Sequence, residues 1–285
     1  MMQFKKVTII GVGLIGGSIG LAIKKRVPAV EVTGVFRRPS TLRKALKYKA
    51  IDKGTMSLAE GVRDADLIVL AAPVHTIVAT AREAIKHAKK GVVITDAGST
   101  KAWIVGKIEK VLSGNSSIRF VGSHPMAGSE HAGVEFARKD LLDGAPCIVT
   151  KTANTNKRAL ERVIDFWKAL GAKVIILSPS GHDRSVSLVS HLPHIVAFGL
   201  AGAVPSKQLV YAAEGYKDTT RVASSDPELW ADIFLTNRKE IAKACREFER
   251  YYKAILKSIS GNDYRGTVRL LKAAKSNRDK LVYAK

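Results

Sequence analysis

Residues 4–25 read FKKVTIIGVGLIGGSIGLAIKK. The β-branched run at 4–10 predicts a buried strand, and the apolar stretch at 19–25 predicts a helix. Between them lies Gly11-Val-Gly-Leu-Ile-Gly16, a G-x-G-x-x-G that follows the strand directly and opens the helix. Such a turn lets an anionic diphosphate approach the backbone at a helix N-terminus. The motif therefore predicts a dinucleotide site, and the alternative is a glycine-rich turn without a ligand.

Strand-like and helix-like segments continue to alternate beyond this turn. The further strand-like runs are at 30–36, 67–71, 92–95, 119–121, 147–150 and 173–177, and the helical segments are at 39–50, 76–87 and 156–170. Alternation of this kind predicts a parallel sheet covered on both faces. After Pro179 helical periodicity dominates, at 185–204, 229–259 and 267–282. We therefore predict an α/β Rossmann-type domain over 1–178, followed by an all-α dimerisation and substrate domain over 179–285.

The helical segment at 229–259 carries more apolar side chains than a domain of three or four helices can cover by itself. These side chains are Ile233, Ile241, Ala244, Phe248, Tyr251, Tyr252 and Ile255. We therefore predict a homodimer formed through the helical domain.

Composition limits the class of protein. The 285 residues include 47 Lys and Arg against 25 Asp and Glu, a formal net charge of +22, but the basic residues are spread along amphipathic segments. This pattern predicts a basic surface and no nucleic-acid partner. The two cysteines, Cys147 and Cys245, form no disulfide framework and favour a reducing compartment. With no signal-peptide pattern, and no apolar stretch reaching the roughly 18 residues that span a bilayer, we expect a cytoplasmic protein without a membrane partner.

The end of the second predicted strand bears on the choice of dinucleotide. An acidic residue about 20 positions beyond the glycines would hold the ribose 2′-hydroxyl of NAD. Here Phe36 is followed by Arg37 and Arg38, whose guanidinium groups can bind a 2′-phosphate bidentately. The sequence therefore favours NADP over NAD, and the alternative is that both arginines point to water. The predicted cofactor-binding residues are Gly11, Gly13, Leu14, Ile15, Gly16, Arg37, Arg38 and Pro73.

A second stretch, Gly122-Ser-His-Pro-Met-Ala-Gly-Ser-Glu130, predicts a rigid turn that presents His124 to a cleft. The ordinary pKa of histidine lies near neutrality, so this imidazole can accept a proton from a substrate hydroxyl at working pH. His124 is therefore the predicted base.

Taken together, five motifs resemble the prephenate/arogenate dehydrogenase family. They are the glycine turn at 11–16, Asp96-Ala-Gly-Ser-Thr-Lys101, the stretch at 122–130, Ser190-His-Leu-Pro-His194, and Asp218-Thr-Thr-Arg221 with Trp230. Their order and spacing extend over nearly the whole chain and are more specific than the glycine turn alone. The resemblance implies a Rossmann domain followed by a helical dimerisation domain, with an active site between them that oxidatively decarboxylates a cyclohexadienol on the route to tyrosine.

The resemblance also implies roles for single residues. In prephenate the C4 hydroxyl loses its proton as a hydride leaves C4 for the nicotinamide, and the ring carboxylate departs as CO2. His124 would accept that proton, Ser99 would hydrogen-bond both the hydroxyl and His124, and Arg221 would clamp a substrate carboxylate. No metal is required. The other implied substrate-binding residues are His191, His194, Asp218, Glu130 and Trp230.

Several of these residues have a structural alternative. His191 and His194 could be metal ligands at i, i+3 spacing, or buried core histidines. Trp230 could serve helix packing alone, and Asp218 could be a cap.

Two other functions stay open at this point. A β-hydroxyacid dehydrogenase or imine reductase has the same two-domain arrangement, but its glycine-rich segment ending in a catalytic lysine is missing from 178–200. A redox-sensing regulator that binds NADP and DNA would suit the charge of +22, but no domain remains to hold a recognition helix. Because the chain ends after the helical region, we expect no regulatory domain and, if tyrosine inhibits, action at or near the active site.

Prephenate and arogenate differ in a keto group against an amino group. His194 favours the keto acid, because an imidazole can donate a hydrogen bond to a carbonyl. Arg37 and Arg38 favour arogenate, because NADP-linked members of the family often use it.

Overall fold

The computed structural model describes residues 4–114, 117–129 and 131–281. Its first part contains β1 (Lys6–Ile10), β2 (Glu31–Val35), β3 (Lys53–Thr55), β4 (Leu67–Leu70), β5 (Val93–Asp96) and β6 (Arg119–Val121). The helices that connect these strands are α1 (Leu14–Arg26), α2 (Pro39–Lys47), α3 (Leu58–Val62), α4 (Val74–His87) and α5 (Ala102–Val111). The strands pair in parallel in the order β3-β2-β1-β4-β5-β6. This is the doubly wound order of dinucleotide-binding folds, which confirms the predicted fold class.

The central strands of this sheet are almost entirely buried. All four residues of β4 are inaccessible to solvent, and both faces of the sheet carry a buried apolar cluster. Parallel strands covered on two faces read as continuous apolar runs, which is why the sequence located them correctly.

A second, three-stranded sheet follows, made of β7 (Ser123–Pro125), β8 (Pro146–Thr150) and β9 (Lys173–Leu177), with α6 (Lys157–Ala169) between β8 and β9. Strand β7 is antiparallel to β8, and β8 is parallel to β9. The prediction that β8 and β9 continue the main sheet is therefore wrong, because an apolar run does not specify which sheet it joins. The prediction of a turn around His124 is also wrong: His124 lies on β7, opposite Ile148.

The following region is helical, with no strand among described residues 178–281. It contains α7 (Pro179–Val186), a π-helical turn (Ser187–His191), α8 (Leu192–Ala203), α9 (Glu214–Thr220), α10 (Pro227–Thr236), α11 (Arg238–Ser260) and α12 (Tyr264–Asp279). Helix α7 begins after Ser178, whose side chain accepts a hydrogen bond from the Gly181 N–H, and has Pro179 in its first turn. These two residues explain the change in sequence pattern at this point.

The single helix predicted at 229–259 is interrupted at Asn237. The Asn237 side chain is buried, and its amide donates hydrogen bonds to the carbonyl of Asp183 at 2.8 Å and to His191 Nδ1 at 3.1 Å. These bonds join segments distant in sequence, so helical periodicity alone could not predict the break.

The chain divides into two compact units, Met1–Arg238 and Lys239–Lys285. Within the second unit α11 and α12 are joined by hydrogen bonds from Tyr251 Oη to the Leu270 carbonyl, at 2.8 Å, and from Thr267 Oγ1 to Ser258 Oγ, at 2.9 Å. The boundary predicted after residue 178 follows the change in sequence pattern rather than this division, and it stays a prediction.

One helical segment corrects the expectation about apolar stretches. Residues Pro179–Ala203 include an 18-residue window of mean hydropathy 1.5, long and apolar enough to cross a membrane, of which 22% is buried within the fold. Serine, histidine and proline interrupt the apolar run and lower its average hydropathy, but the aliphatic residues around them keep that average high. Core helices of soluble proteins also meet these criteria, so the segment by itself is weak evidence for a membrane span.

Candidate active site

A cavity of about 620 Å³ opens at the carboxyl ends of β1, β4 and β5. Its position is the switch point of the sheet, between β1 and β4, where the strand order reverses and ligands of such folds bind. The predicted site residues that line it are Gly13, Leu14, Ile15, Pro73, Ser99, His124, His194, Arg221 and Trp230. The cavity therefore brings together residues from both predicted domains.

The glycine turn forms one end of this cavity. Gly11 has a φ of +94°, and a Cβ on it would lie 2.4 Å from the Ala71 carbonyl oxygen. A Cβ on Gly16 would lie 2.1 Å from the Gly11 carbonyl oxygen, so both positions exclude side chains. Gly13, in contrast, has no atom within 4 Å of a Cβ, so open space adjoins its backbone.

The start of α1 suits an anion. No side chain caps this helix N-terminus, and its first turn has no acidic residue. The unpaired N–H groups and the positive end of the helix dipole therefore face the open space beside Gly13. These residues fit the diphosphate of a dinucleotide.

Arg37 and Arg38 lie directly after β2, and both are exposed. Phe36 before them is buried, and neither arginine is among the residues that line the cavity. Their role toward a 2′-phosphate stays a prediction.

His124 also lines the cavity and is 8% exposed. Its Nδ1 is 2.8 Å from His182 Nε2, which leaves Nε2 as the nitrogen available to the cavity. Burial, assisted by His182, Lys101 and His191, holds the pKa of His124 well below its usual range. The ring is therefore neutral near pH 7 and can accept a proton.

Behind His124 lie residues that the sequence analysis missed. His182 Nδ1 is 2.8 Å from Asp183 Oδ1, and the Asp183 carboxylate accepts hydrogen bonds from the backbone N–H groups of Lys101, at 2.7 Å, and Ala102, at 2.9 Å. His124 and His182 are 58 positions apart in sequence, and no motif connects them.

Lys101 and Asp96 complete this arrangement. Both side chains are inaccessible to solvent, and Lys101 Nζ donates to Asp96 Oδ2. The Asp96 carboxylate also accepts hydrogen bonds from the N–H groups of Gly98, at 3.0 Å, and Ser123, at 3.1 Å. It thereby links Gly98, which precedes Ser99, to Ser123, which precedes His124. We call Asp96, Lys101, His124, His182 and Asp183 the buried polar network.

His194 and Trp230 form another wall of the cavity. Their rings stack with centroids 3.4 Å apart and an interplanar angle of 23°. His194 Nδ1 lies 2.9 Å from the Ser190 carbonyl oxygen, which can only accept, so Nδ1 carries the proton. Burial, together with Arg221, lowers the pKa of His194, so its Nε2 is a hydrogen-bond acceptor in the neutral ring.

Two predicted substrate-binding residues, His191 and Asp218, do not line this cavity. His191 is buried, and its Nδ1 accepts a hydrogen bond from the Asn237 amide, with burial lowering its pKa to about 4. It therefore resembles the buried core histidine that the sequence analysis kept as an alternative. Asp218 is exposed on α9, and Glu130 lies outside the described residues. Among the described residues, no group of three or more His, Cys, Asp or Glu side chains could hold a metal ion.

Comparisons with known proteins identify the family of this chain. The family model "Prephenate dehydrogenase, nucleotide-binding domain" matches residues 19–176, and "Prephenate dehydrogenase, dimerization domain" matches residues 178–273. A prephenate dehydrogenase of Bacillus subtilis is 37% identical over 289 residues, covering 99% of this chain and 77% of that protein.

Solved structures show the same likeness. A prephenate dehydrogenase from A. aeolicus, in complex with hydroxyphenyl propionate and NAD+, superposes with a TM-score of 0.90 at 33% identity, covering 97% of this chain and 98% of that chain. An arogenate dehydrogenase of Synechocystis has a TM-score of 0.81 at 28% identity, covering 97% and 99%. These matches favour the first interpretation over a β-hydroxyacid dehydrogenase or a regulator. The chain belongs to the prephenate dehydrogenase family, whose members are NAD(P)-dependent oxidoreductases.

Proposed function

We propose that the chain catalyses the oxidative decarboxylation of prephenate to 4-hydroxyphenylpyruvate in tyrosine biosynthesis, with hydride transfer to NAD(P). The observation that carries this proposal is a neutral, buried His124 whose Nε2 faces the same cavity as the glycine turn. Oxidation of a secondary alcohol requires a base for the hydroxyl proton and an acceptor for the hydride, and this cavity is lined by His124 and by the turn that would hold a dinucleotide.

Each side chain of the cavity has a different role in this reaction. His124 Nε2 takes the proton of the C4 hydroxyl, and Ser99 hydrogen-bonds this hydroxyl and orients it. Arg221 holds a substrate carboxylate through its planar donor fork. Trp230 and the apolar wall near it exclude water. The glycine turn at 11–16 would hold the diphosphate of the dinucleotide, whose nicotinamide would supply the hydride acceptor. Departure of the ring carboxylate as CO2 makes the ring aromatic.

For the cofactor, Arg37 and Arg38 support NADP over NAD. Both guanidinium groups lie at the end of β2, where the ribose 2′ position of a bound dinucleotide is recognised in this fold. No carboxylate stands at 36–38 to repel a 2′-phosphate.

Arogenate is a second candidate substrate, and one observation favours it. From sequence alone, His194 is predicted to donate a hydrogen bond to the keto group of prephenate. Because Nδ1–H is committed to the Ser190 carbonyl, the neutral ring offers an acceptor at Nε2 instead. An acceptor matches the ammonium group of arogenate better than a carbonyl oxygen. We therefore infer that the chain also accepts arogenate.

One assay tests both statements. Purified protein is given prephenate or arogenate with NADP or NAD, and nicotinamide reduction is followed together with CO2 release. We expect turnover of both substrates, with the higher kcat/KM for NADP. If neither prephenate nor arogenate is turned over, the proposed function is refuted. If prephenate is turned over and arogenate is not, only the inference from His194 is refuted.

We further propose a cytoplasmic homodimer. Phe248 is 42% exposed and Tyr252 is 51% exposed along α11, in the span that matches the family's dimerization domain. Light scattering should give twice the mass of one chain, and a mass of one chain would contradict the proposal. The wide spread of the +22 charge supports the absence of a nucleic-acid partner.

A further inference from the structure

Three buried side chains form a line that begins at the cavity and ends inside the protein. His124 Nδ1 lies 2.8 Å from His182 Nε2, and His182 Nδ1 lies 2.8 Å from Asp183 Oδ1. His182 is 0% exposed and Asp183 is 2% exposed. These contacts form a continuous hydrogen-bonded path from the cavity to Asp183.

The end of the line determines the tautomers of both rings. Both Asp183 oxygens accept backbone N–H groups and act only as acceptors, so His182 Nδ1 is the donor to Asp183. His182 Nε2 then has a lone pair, and His124 Nδ1 donates to it. As a result His124 Nε2 has no proton in the resting protein, which is the form that a base needs.

Positive charge is costly on His124. Besides burial, His182, Lys101 and His191 all act to lower its pKa. The pKa of His182 is also lowered, by burial and by Lys101, but its neighbours Asp183 and Asp96 act in the opposite direction. A proton taken from the substrate is therefore stabilised better as a charge on His182 than as a charge on His124.

We propose that His182 and Asp183 are positioning residues that form a proton relay behind His124, an inference that rests on the proposed function. As the substrate O–H bond breaks, its proton forms the His124 Nε2–H bond. At the same time the His124 Nδ1–H bond breaks, and that proton forms the His182 Nε2–H bond. His124 ends neutral in its other tautomer, and His182 ends as an imidazolium whose Nδ1–H is held by the Asp183 carboxylate.

Asp183 also has a structural role, since its carboxylate caps the N-terminus of α5. Replacement of Asp183 would therefore mix two effects. This cap does not explain why a buried histidine is interposed between Asp183 and His124, so His182 is the position to test.

The experiment uses His182→Gln in the full-length protein. Glutamine can still accept the His124 Nδ1–H bond, but it cannot carry a proton onward. The matched control is His87→Gln, because His87 is exposed on α4. We expect His182→Gln to lower kcat roughly 100-fold, the lower end of the 10²–10⁴-fold range of general base catalysis, with KM changed less than about twofold. Nucleotide binding measures whether the variant is folded.

Two further readouts separate a relay from packing. In mixtures of H2O and D2O, single-turnover rates of the wild-type protein should curve with deuterium content, because two protons move, and those of His182→Gln should be linear. Near-normal kcat in the variant, or a linear dependence in the wild type, would overturn the relay.

Nitrogen-15 NMR of histidine-labelled wild-type protein needs no activity and no variant. It should show protons on Nδ1 of both His124 and His182 at neutral pH. A proton on His182 Nε2 would overturn the relay even if the enzyme is active. Inactive protein with the expected tautomers would instead refute the proposed function while supporting the arrangement on which the relay depends.

Discussion

The glycine turn with the start of α1, which we call the cofactor end, and the surroundings of His124, which we call the chemical end, are built in opposite ways. At the cofactor end, Gly11, Gly13 and Gly16 shape the main chain, and the polar side chains nearby, Arg37 and Arg38, are exposed. At the chemical end, the buried polar network carries charge and hydrogen bonds on side chains that solvent barely reaches.

This difference predicts which substitutions should have large effects on rate and stability and which should have small ones. A charge in a buried site interacts strongly because little solvent screens it, whereas an exposed charge is screened. Changes in the buried polar network should therefore alter rate and stability strongly, and changes of exposed side chains at the cofactor end should alter only cofactor preference.

Replacement of His124 is expected to have the largest effect on the rate. We expect His124→Asn to lower kcat about 10²–10⁴-fold with little change in KM, because the base acts in the transition state and not in binding. Steady-state kinetics measure this, with His87→Asn as the exposed control. Near-normal turnover would remove His124 from the mechanism and leave the chemical end without its base.

Lys101→Met tests whether the buried charges also hold the fold. Removing one member of a buried ion pair leaves Asp96 unpaired, so we expect a loss of about 3–5 kcal/mol in the free energy of unfolding. Urea unfolding measures it, and Lys107→Met is the control, because Lys107 is exposed on α5, the helix that begins directly after Lys101. A loss as small as that of the control would contradict the comparison.

Low pH should lower the stability of the fold through a buried histidine while affecting the cofactor end less. Burial lowers the pKa of His191 to about 4 in the folded protein, against about 6.5 when unfolded. As the pH falls from 6.5 to 4, His191 binds a proton in the unfolded chain but not in the folded chain. The free energy of unfolding therefore falls, by on the order of 3 kcal/mol for this group.

Urea unfolding at several pH values should show this loss, reduced in His191→Gln, where the amide oxygen can still accept from Asn237. An equal pH dependence in the variant would exclude His191 as a source. The glycine turn at 11–16 has no titratable side chain, so NAD affinity of the folded protein should change less over the same range.

The smallest effect is expected at the cofactor end. We expect Arg37→Ala with Arg38→Ala to lower kcat/KM for NADP about tenfold, the size of one charge-assisted hydrogen bond near the surface, and to leave kcat/KM for NAD unchanged. Arg43→Ala, exposed on α2, is the control. An unchanged NADP to NAD ratio would show that the arginines point to water.

Prediction from sequence succeeded where the signal is local. The glycine turn lies within six consecutive residues, and strands covered on both faces are continuous apolar runs, so both were located correctly. Prediction failed for β8 and β9, because an apolar run does not specify which strands it pairs with. It also failed at Asn237, because the hydrogen bonds that interrupt the helix are made to Asp183 and His191, which are distant in sequence.

The sequence by itself determined the class of fold, the place of the dinucleotide turn and the candidate base at His124, because each depends on residue type and short-range spacing. Only the tertiary structure decided that His182 and Asp183 lie behind His124, and that Nδ1–H of His194 is committed to the Ser190 carbonyl. The physical reason is that the proton positions on a histidine follow from its hydrogen-bond partners. For His124 those partners are folded next to it from a distant part of the chain.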